Sequence, residues 1–236
     1  MPRPSDPQAR ARLLGAARKT FVEKGLDRAK VEDITQAAGM SKGAFYLHFQ
    51  SKEQAFTEIL SEALSEVGAI VAQGHANVEA QYERGLEHLV SHWLEQDIKV
   101  FDVVWKHRAI MALVLLEGGG SADYQHLKEM FVQRIEKQVE TLFVFGIERG
   151  YYRPDLEPAL AAKFCSGGFD RLACQMLREK KKPDLRALML QAHLFVIHAL
   201  GTPELIALAE RIHGSELPAA SGVPPAPRLQ KAPRSA

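Results

Sequence analysis

Residues 29–52, AKVEDITQAAGMSKGAFYLHFQSK, confine the fold more than any other stretch of this chain. Val31, Ile34, Ala37 and Ala38 fall at helical spacing, which predicts a short helix with its apolar side turned inward. Gly39 stops that helix, because glycine enters the left-handed conformation without a Cβ clash. Ser41 is placed to cap a second short helix over residues 42–48, with Phe45 and Phe49 anchoring its back. Two short helices across a three-residue turn that contains glycine make a helix-turn-helix. The second helix then presents Lys42, Gly43, Ala44, Tyr46 and His48. Small residues let a helix backbone approach base edges, and a cation beside hydroxyl groups suits phosphates.

Charge is distributed to match. The formal net charge is only +1, yet residues 1–52 hold ten Lys or Arg against five acids. Residues 53–214 hold 17 bases against 23 acids. A basic end on an acidic body points to a polyanion bound at one end only. A nonspecific DNA-compacting protein would want a larger positive excess.

The run from Gly39-Met40-Ser41-Lys42-Gly43-Ala44-Phe45-Tyr46-Leu47-His48-Phe49 to Gln50-Ser51-Lys52-Glu53 resembles the DNA-binding signature of the TetR family of bacterial regulators. The resemblance extends upstream through Ala17, Phe21, Gly25, Val31, Ile34 and Ala38, and covers about residues 8–60. It implies an all-α fold with an N-terminal three-helix DNA-binding domain over residues 7–52, continuing into a linking helix to about residue 73. A C-terminal helical bundle over residues 53–214 would bind an effector and dimerise. The implied partners are a double-stranded DNA operator, a small-molecule effector and a second copy of the chain, with no cofactor and no metal. The expected DNA contacts are Lys30, Ser41, Lys42, Gly43, Ala44, Tyr46, His48 and Lys52. One position departs from the family pattern. Thr or Ser is usual where this chain has Ala29 and Lys30, so the phosphate contact rests on the Lys30 charge and the first cap lacks its hydroxyl.

Beyond residue 52 the apolar periodicity stays helical, without sustained two-residue alternation, so no sheet is expected. Ser51 opens a helix of about 21 residues that ends where Gly74–Asn77 interrupt it. Residues 78–96 read as one amphipathic helix and residues 99–117 as one that is apolar on nearly all sides. Long helices follow over 121–150, 156–179 and 184–200, with a connector at 151–155 and a short closing piece at 203–213. Residues 215–236 contain five prolines and no apolar periodicity, and read as a disordered tail. The longest apolar run, residues 109–116, is far below the roughly 18 residues of a membrane span, and no secretory segment stands behind Met1-Pro2-Arg3-Pro4. A cytoplasmic location is expected.

Trp93, Phe101, Trp105, Arg108, Met111, Leu115, Tyr124 and Phe131 are the candidates for an effector pocket. Arg108 carries the argument there: a charge on a helix whose apolar content demands burial needs an acid, water or an anionic ligand. His88, His92 and Glu95 share one helical face, as a metal site requires, but a wet helix face is the ordinary reading. Gly167-Gly168 cost helix stability and imply close approach of another helix. Phe164, Gly168 and Leu172 with Leu188, Ala192 and Phe195 are either intrachain core or, as the resemblance implies, a four-helix dimer interface. The two cysteines, Cys165 and Cys174, lie about 180° apart on one helix and cannot bridge within it.

The function expected is a repressor released from a palindromic operator by a small molecule. The alternative is an all-helical enzyme with an incidental helix-turn-helix. Against it, the chain has no Gly-x-Ser-x-Gly, Cys-x-x-Cys, His-Glu-x-x-His or phosphate-cradling glycine loop.

Overall fold

The computed structural model describes residues 7–116, 122–214 and 216, and these form helices without a strand. The tail over 217–236, Arg3 and the Asp6 cap position lie outside the described residues.

Helix α1 (Pro7–Lys24) ends at Gly25, whose φ of 76° turns the chain toward α2 (Val31–Ala38). At the start of α2 the missing hydroxyl is replaced by a carboxylate: Asp33 accepts the backbone N–H of Lys30 at 3.0 Å. Its other oxygen takes Lys24 Nζ at 2.8 Å, so one side chain joins the end of α1 to the start of α2. Lys24, foremost, and the Lys30 amide hold the Asp33 carboxyl below its usual range. Gly39 sits at φ 65°, and the Met40 amide closes the α2 end on the Thr35 carbonyl at 2.8 Å. Ser41 Oγ accepts from the Ala44 amide at 3.2 Å and starts α3 (Lys42–Tyr46), a turn shorter than its pattern suggests. Phe45 and Phe49 are buried behind it with ring centroids 5.3 Å apart.

Helix α4 (Lys52–Ala76) begins on the Ser51 hydroxyl and runs 25 residues, about 37 Å. Gly74 does not end it. The helix continues to Ala76, and the bare Gly74 backbone is where α6 comes close: a Cβ there would stand 3.1 Å from Gln96 Cγ. The two helices expected over 78–96 and 99–117 are instead three: α5 (Val78–Glu83), α6 (Leu86–Lys106) and α7 (Arg108–Leu115). Gly85, at φ 115°, makes the first break. The second falls at His107, whose ring Nε2 meets Glu66 of α4 at 2.8 Å beside Lys106 Nζ on the same carboxylate at 2.7 Å. Periodicity cannot register a break made by a tertiary ion pair.

Helix α8 (Ala122–Glu148) packs along α4 and α9 (Pro158–Leu177), while α10 (Leu185–Leu200) lies on α6 and α11 (Pro203–His213). Glu157 and Asp184 cap α9 and α10 with their carboxylates. The connector before α9 is core rather than loop. Tyr151 and Tyr152 are buried, and the Arg153 and Thr202 amides bind the Leu200 and Tyr151 carbonyls in a single antiparallel bridge. Gly146 makes room for both rings: a Cβ there would lie 2.3 Å from Tyr152 and 2.6 Å from Tyr151. Gly146→Ala is therefore expected to cost about 2 kcal/mol through overpacking and to lower the melting temperature by roughly 4–8 °C. An unchanged melt would show that the tyrosine pair has slack.

Candidate nucleic-acid interface and ligand cavity

On the helix-turn-helix, Ser41, Lys42, Gly43 and Tyr46 are exposed, while Ala44 and His48 are half-buried. Leu47, absent from the expected contacts, is 74% exposed beside Tyr46 at 57%. Its signal was available in the sequence: Leu47 falls between Phe45 and Phe49 and off their apolar stripe. An exposed apolar side chain at this place suits a thymine methyl.

The cations of this face are already engaged within the chain. Lys42 pairs with Glu32 across the turn, which holds the Glu32 carboxyl low and raises the Lys42 ammonium. Arg10, a candidate for a backbone-binding arm, pairs with Glu58 of α4 and lies 5.0 Å over the Phe49 ring. Lys52 turns inward. Its Nζ donates to the carbonyls of Leu26, Asp27 and Ala29 at 2.8, 3.1 and 2.8 Å, with Glu53 at 3.8 Å. A lysine offers three donors, and all three point at the loop between α1 and α2. The phosphate role expected of its side chain gives way to an internal one: it closes the orphan carbonyls of that loop.

The second feature is a cavity of about 420 Å³ enclosed by α4, α6, α7, α8, α9 and α10. Of the eight expected pocket residues, Trp93, Phe101, Met111, Leu115 and Phe131 line it. Tyr124 belongs to α8, but its side chain lies outside the described residues. Trp105 and Arg108 do not line the cavity. The break at His107 turns Arg108 onto the surface at the first position of α7, where its guanidinium stacks 4.7 Å over the Trp105 ring. The expectation that Arg108 reads an acidic effector is thereby overturned: stem and charge are satisfied by the indole and by solvent.

Polar groups of the cavity gather on particular stretches. His193 Nε2 and Asp97 Oδ2 are 2.6 Å apart, and His92 Nε2 faces the Gly74 carbonyl at 3.3 Å. Burial lowers the pKa of His75, so its ring is neutral near pH 7. Burial, and then Asp97, push the Cys165 thiol up to about 11, which keeps it protonated and a poor nucleophile. Trp93 Nε1 and Ser166 Oγ have no hydrogen-bond partner. Of His88, His92 and Glu95 on one face of α6, the last two are used separately, since Glu95 pairs with Arg186 at 2.9 Å.

The third feature is an apolar face on α9 and α10. Phe164 and Phe195 are each 75% exposed and Leu160 is 53% exposed. Gly168 is exposed, and a Cβ on Gly167 or Gly168 would meet nothing within 4 Å among the described residues. Leu172, Leu188 and Ala192 are half-buried on the same pair of helices. The close approach that these glycines permit is thus not made within this chain.

Lys52 supplies a direct test of its assignment. Lys52→Met should lower the stability of the free protein by about 2 kcal/mol, because three carbonyls of the α1–α2 loop, two of them part-buried, lose a charged donor. A lysine that served only DNA phosphate would leave the melt of the free protein unchanged and flatten only the salt dependence of binding.

Residues 13–59 match the model of the bacterial regulatory proteins of the tetR family. The transcriptional repressor KstR2 of Mycobacterium tuberculosis is 29% identical over 158 residues, which is 66% of this chain and 74% of that protein. Among solved structures, NalD of Pseudomonas aeruginosa, the secondary repressor of a multidrug efflux pump, superposes with a TM-score of 0.67 at 21% identity. It covers 83% of this chain and 97% of NalD. SmeT, a repressor of a Stenotrophomonas maltophilia efflux pump, solved as its triclosan complex, gives a TM-score of 0.67 at 18% identity, with 84% and 94% of the two chains covered. With the capped helix-turn-helix on its exposed N-terminal face and a helical body behind it, this chain is similar to the bacterial transcriptional regulators of the TetR family, by sequence over residues 13–59 and by fold over most of its length.

Proposed function

We propose that the chain is a homodimeric repressor that leaves a palindromic operator when a small molecule fills the cavity of its helical body. One observation carries this reading. A single helix, α4, carries Lys52 and Phe56 in the DNA-binding unit at one end and lines the cavity with Leu64, Val67, Val71 and His75 farther along. Binding at the cavity and binding at the helix-turn-helix therefore bias one rigid element. A ligand that prefers one placement of α4 shifts operator affinity by its differential affinity for the two states.

The exposed Phe164, Leu160 and Phe195 and the open glycine backbone support a face-to-face pairing of α9 and α10 with a second copy. In the dimer, two α3 helices would enter successive major grooves about 34 Å apart. Lys42, Tyr46 and Leu47 are then the residues placed at the groove, with Ser41 and Lys30 beside the phosphates. The triclosan bound by SmeT supports a small-molecule effector. Among the described residues no helix is long and apolar enough to cross a membrane.

Two experiments test the reading. DNA recovered by selection from the region flanking the gene should yield a palindrome that the protein binds as a dimer. Phe164→Asp with Phe195→Asp should give folded monomers by sedimentation and lower affinity for that palindrome on the order of a hundredfold, through lost bivalency. An intact dimer would place the interface elsewhere.

A further inference from the structure

The cavity is not uniform along its length. The chain directions of α4 and α6 give it an upper end, far from the DNA-binding unit, and a lower end against α7. The upper end holds His75, His92, Trp93 and Gln96; the lower holds Leu64, Val104, Met111, Val114 and Leu115. From His92 to Val104 along α6, or Leu64 to His75 along α4, the wall extends about 17 Å. A volume of about 420 Å³ over that distance leaves a mean cross-section of about 25 Å², close to that of one extended methylene chain.

Resting on the effector reading, we infer that the effector is an uncharged single-chain amphiphile. Its hydrogen-bonding head lies at Trp93 and Ser166, and its tail reaches α7. Trp93 Nε1 donates only, and Ser166 Oγ both donates and accepts; neither has a partner among the described residues, and both are covered, so a ligand head reaches them by displacing the side chains that close over them. Buried donors without partners are costly, and a ligand hydroxyl, ester or carbonyl oxygen satisfies them. Tyr152 fixes the place of this head. Its ring stacks on Trp93 at 6.1 Å, and it lies within electrostatic reach of Cys165, the residue before Ser166.

An anionic head does not fit. The charged groups that line the cavity are Asp97, Glu136 and Asp170 against Lys128, with His193 already joined to Asp97. A cationic head would face the Trp93 N–H, and the carboxylate on that stretch of α6, Asp97, is already held by His193.

Tail length then decides the response. Met111, Val114 and Leu115 line the cavity, while Leu113 of the same eight-residue helix lines, with Phe56 and the Lys24–Arg28 segment that Lys52 holds, a second pocket beside the DNA-binding unit, where α7 packs against α1. A chain that stops short of α7 occupies the cavity without pressing on the DNA-binding unit. At about 1.2 Å per bond, twelve carbons span about 13 Å, most of the wall's roughly 17 Å.

The test uses straight-chain primary alcohols from hexanol to tetradecanol, with dodecanoate and dodecylammonium as charged counterparts. Binding is followed by calorimetry and release by anisotropy of the selected palindrome at saturating alcohol. Affinity should rise about fourfold per methylene. Release should appear only near ten to twelve carbons, although shorter alcohols saturate the protein. Both charged counterparts should bind at least about tenfold more weakly than dodecanol. Trp93→Phe, which keeps an aromatic ring and removes the N–H, should weaken dodecanol about threefold to tenfold. Equal release at every saturating length, equal binding of dodecanoate, or an unaffected Trp93→Phe each overturns the assignment. No binding at any length also overturns it, and the release mechanism is judged apart from it by Leu115→Trp, whose indole fills the lower end without ligand. If that variant melts as a folded dimer, weakened operator binding keeps the effector reading, and unchanged binding removes it.

Discussion

Everything in this molecule depends on the unbroken backbone of α4. Its 25 residues belong to two cores at once: Phe56 meets Phe21 of α1 at 5.4 Å, and a Cβ on Gly68 would lie 3.8 Å from the Phe131 ring of α8. A continuous hydrogen-bonded helix is stiff over this length, so displacement at one end reappears at the other. Midway, Glu66 receives both Lys106 and His107, and these two, Lys106 foremost, hold its carboxyl below the usual range. That cluster anchors the end of α6 and the start of α7 to the rod. The pair is largely solvent-screened, so its worth lies in register more than in stability.

The DNA-facing unit shows how internal and external uses of charge compete. A sequence reading counts ten cations before residue 53 and treats them as available. In the fold, Lys24, Arg10, Lys42 and Lys52 have partners of their own at Asp33, Glu58, Glu32 and the carbonyls of the α1–α2 loop. Exposed pairs such as Lys42–Glu32 exchange a weak internal contact for phosphate at small cost. Lys52, with three short carbonyl contacts, does not. The basic end thus steers the duplex by its summed field, while few of its cations are free to touch it.

What the sequence made legible was local. Gly39, Ser41, Ser51 and the Phe45/Phe49 pair act through bonds within a few residues, and each of those bonds is present in the fold. What it hid was tertiary. The break at His107 is held from α4, 41 residues away in sequence, and it moved Arg108 from an inferred pocket to the surface. Tyr151-Tyr152 resembled a linker because no periodicity marks two residues, yet their rings meet Trp93, Phe143 and Phe145. Of the pocket candidates, Trp93 and Phe101 of α6, Met111 and Leu115 of α7 and Phe131 of α8 line the cavity; Trp105 and Arg108, next to the unforeseen break, do not.

That same break gives α7 its importance. As the end of one long helix, residues 108–115 would be held by the backbone ladder of α6. As a separate eight-residue helix they are too short to be stable alone and rest on what they pack against. On one side this is the cavity, and on the other α7 packs against α1, with Leu113 lining a pocket that it shares with residues 24–28. Moving a two-state equilibrium from 1:99 to 99:1 takes about 5.5 kcal/mol of differential binding. At roughly 0.8 kcal/mol per methylene, about seven buried methylenes supply that amount, provided they are buried in only one of the two states. The lower cavity, walled by α7 itself, is the place where burial depends on the position of α7. Methylenes that are buried equally in both states add affinity to both and shift nothing.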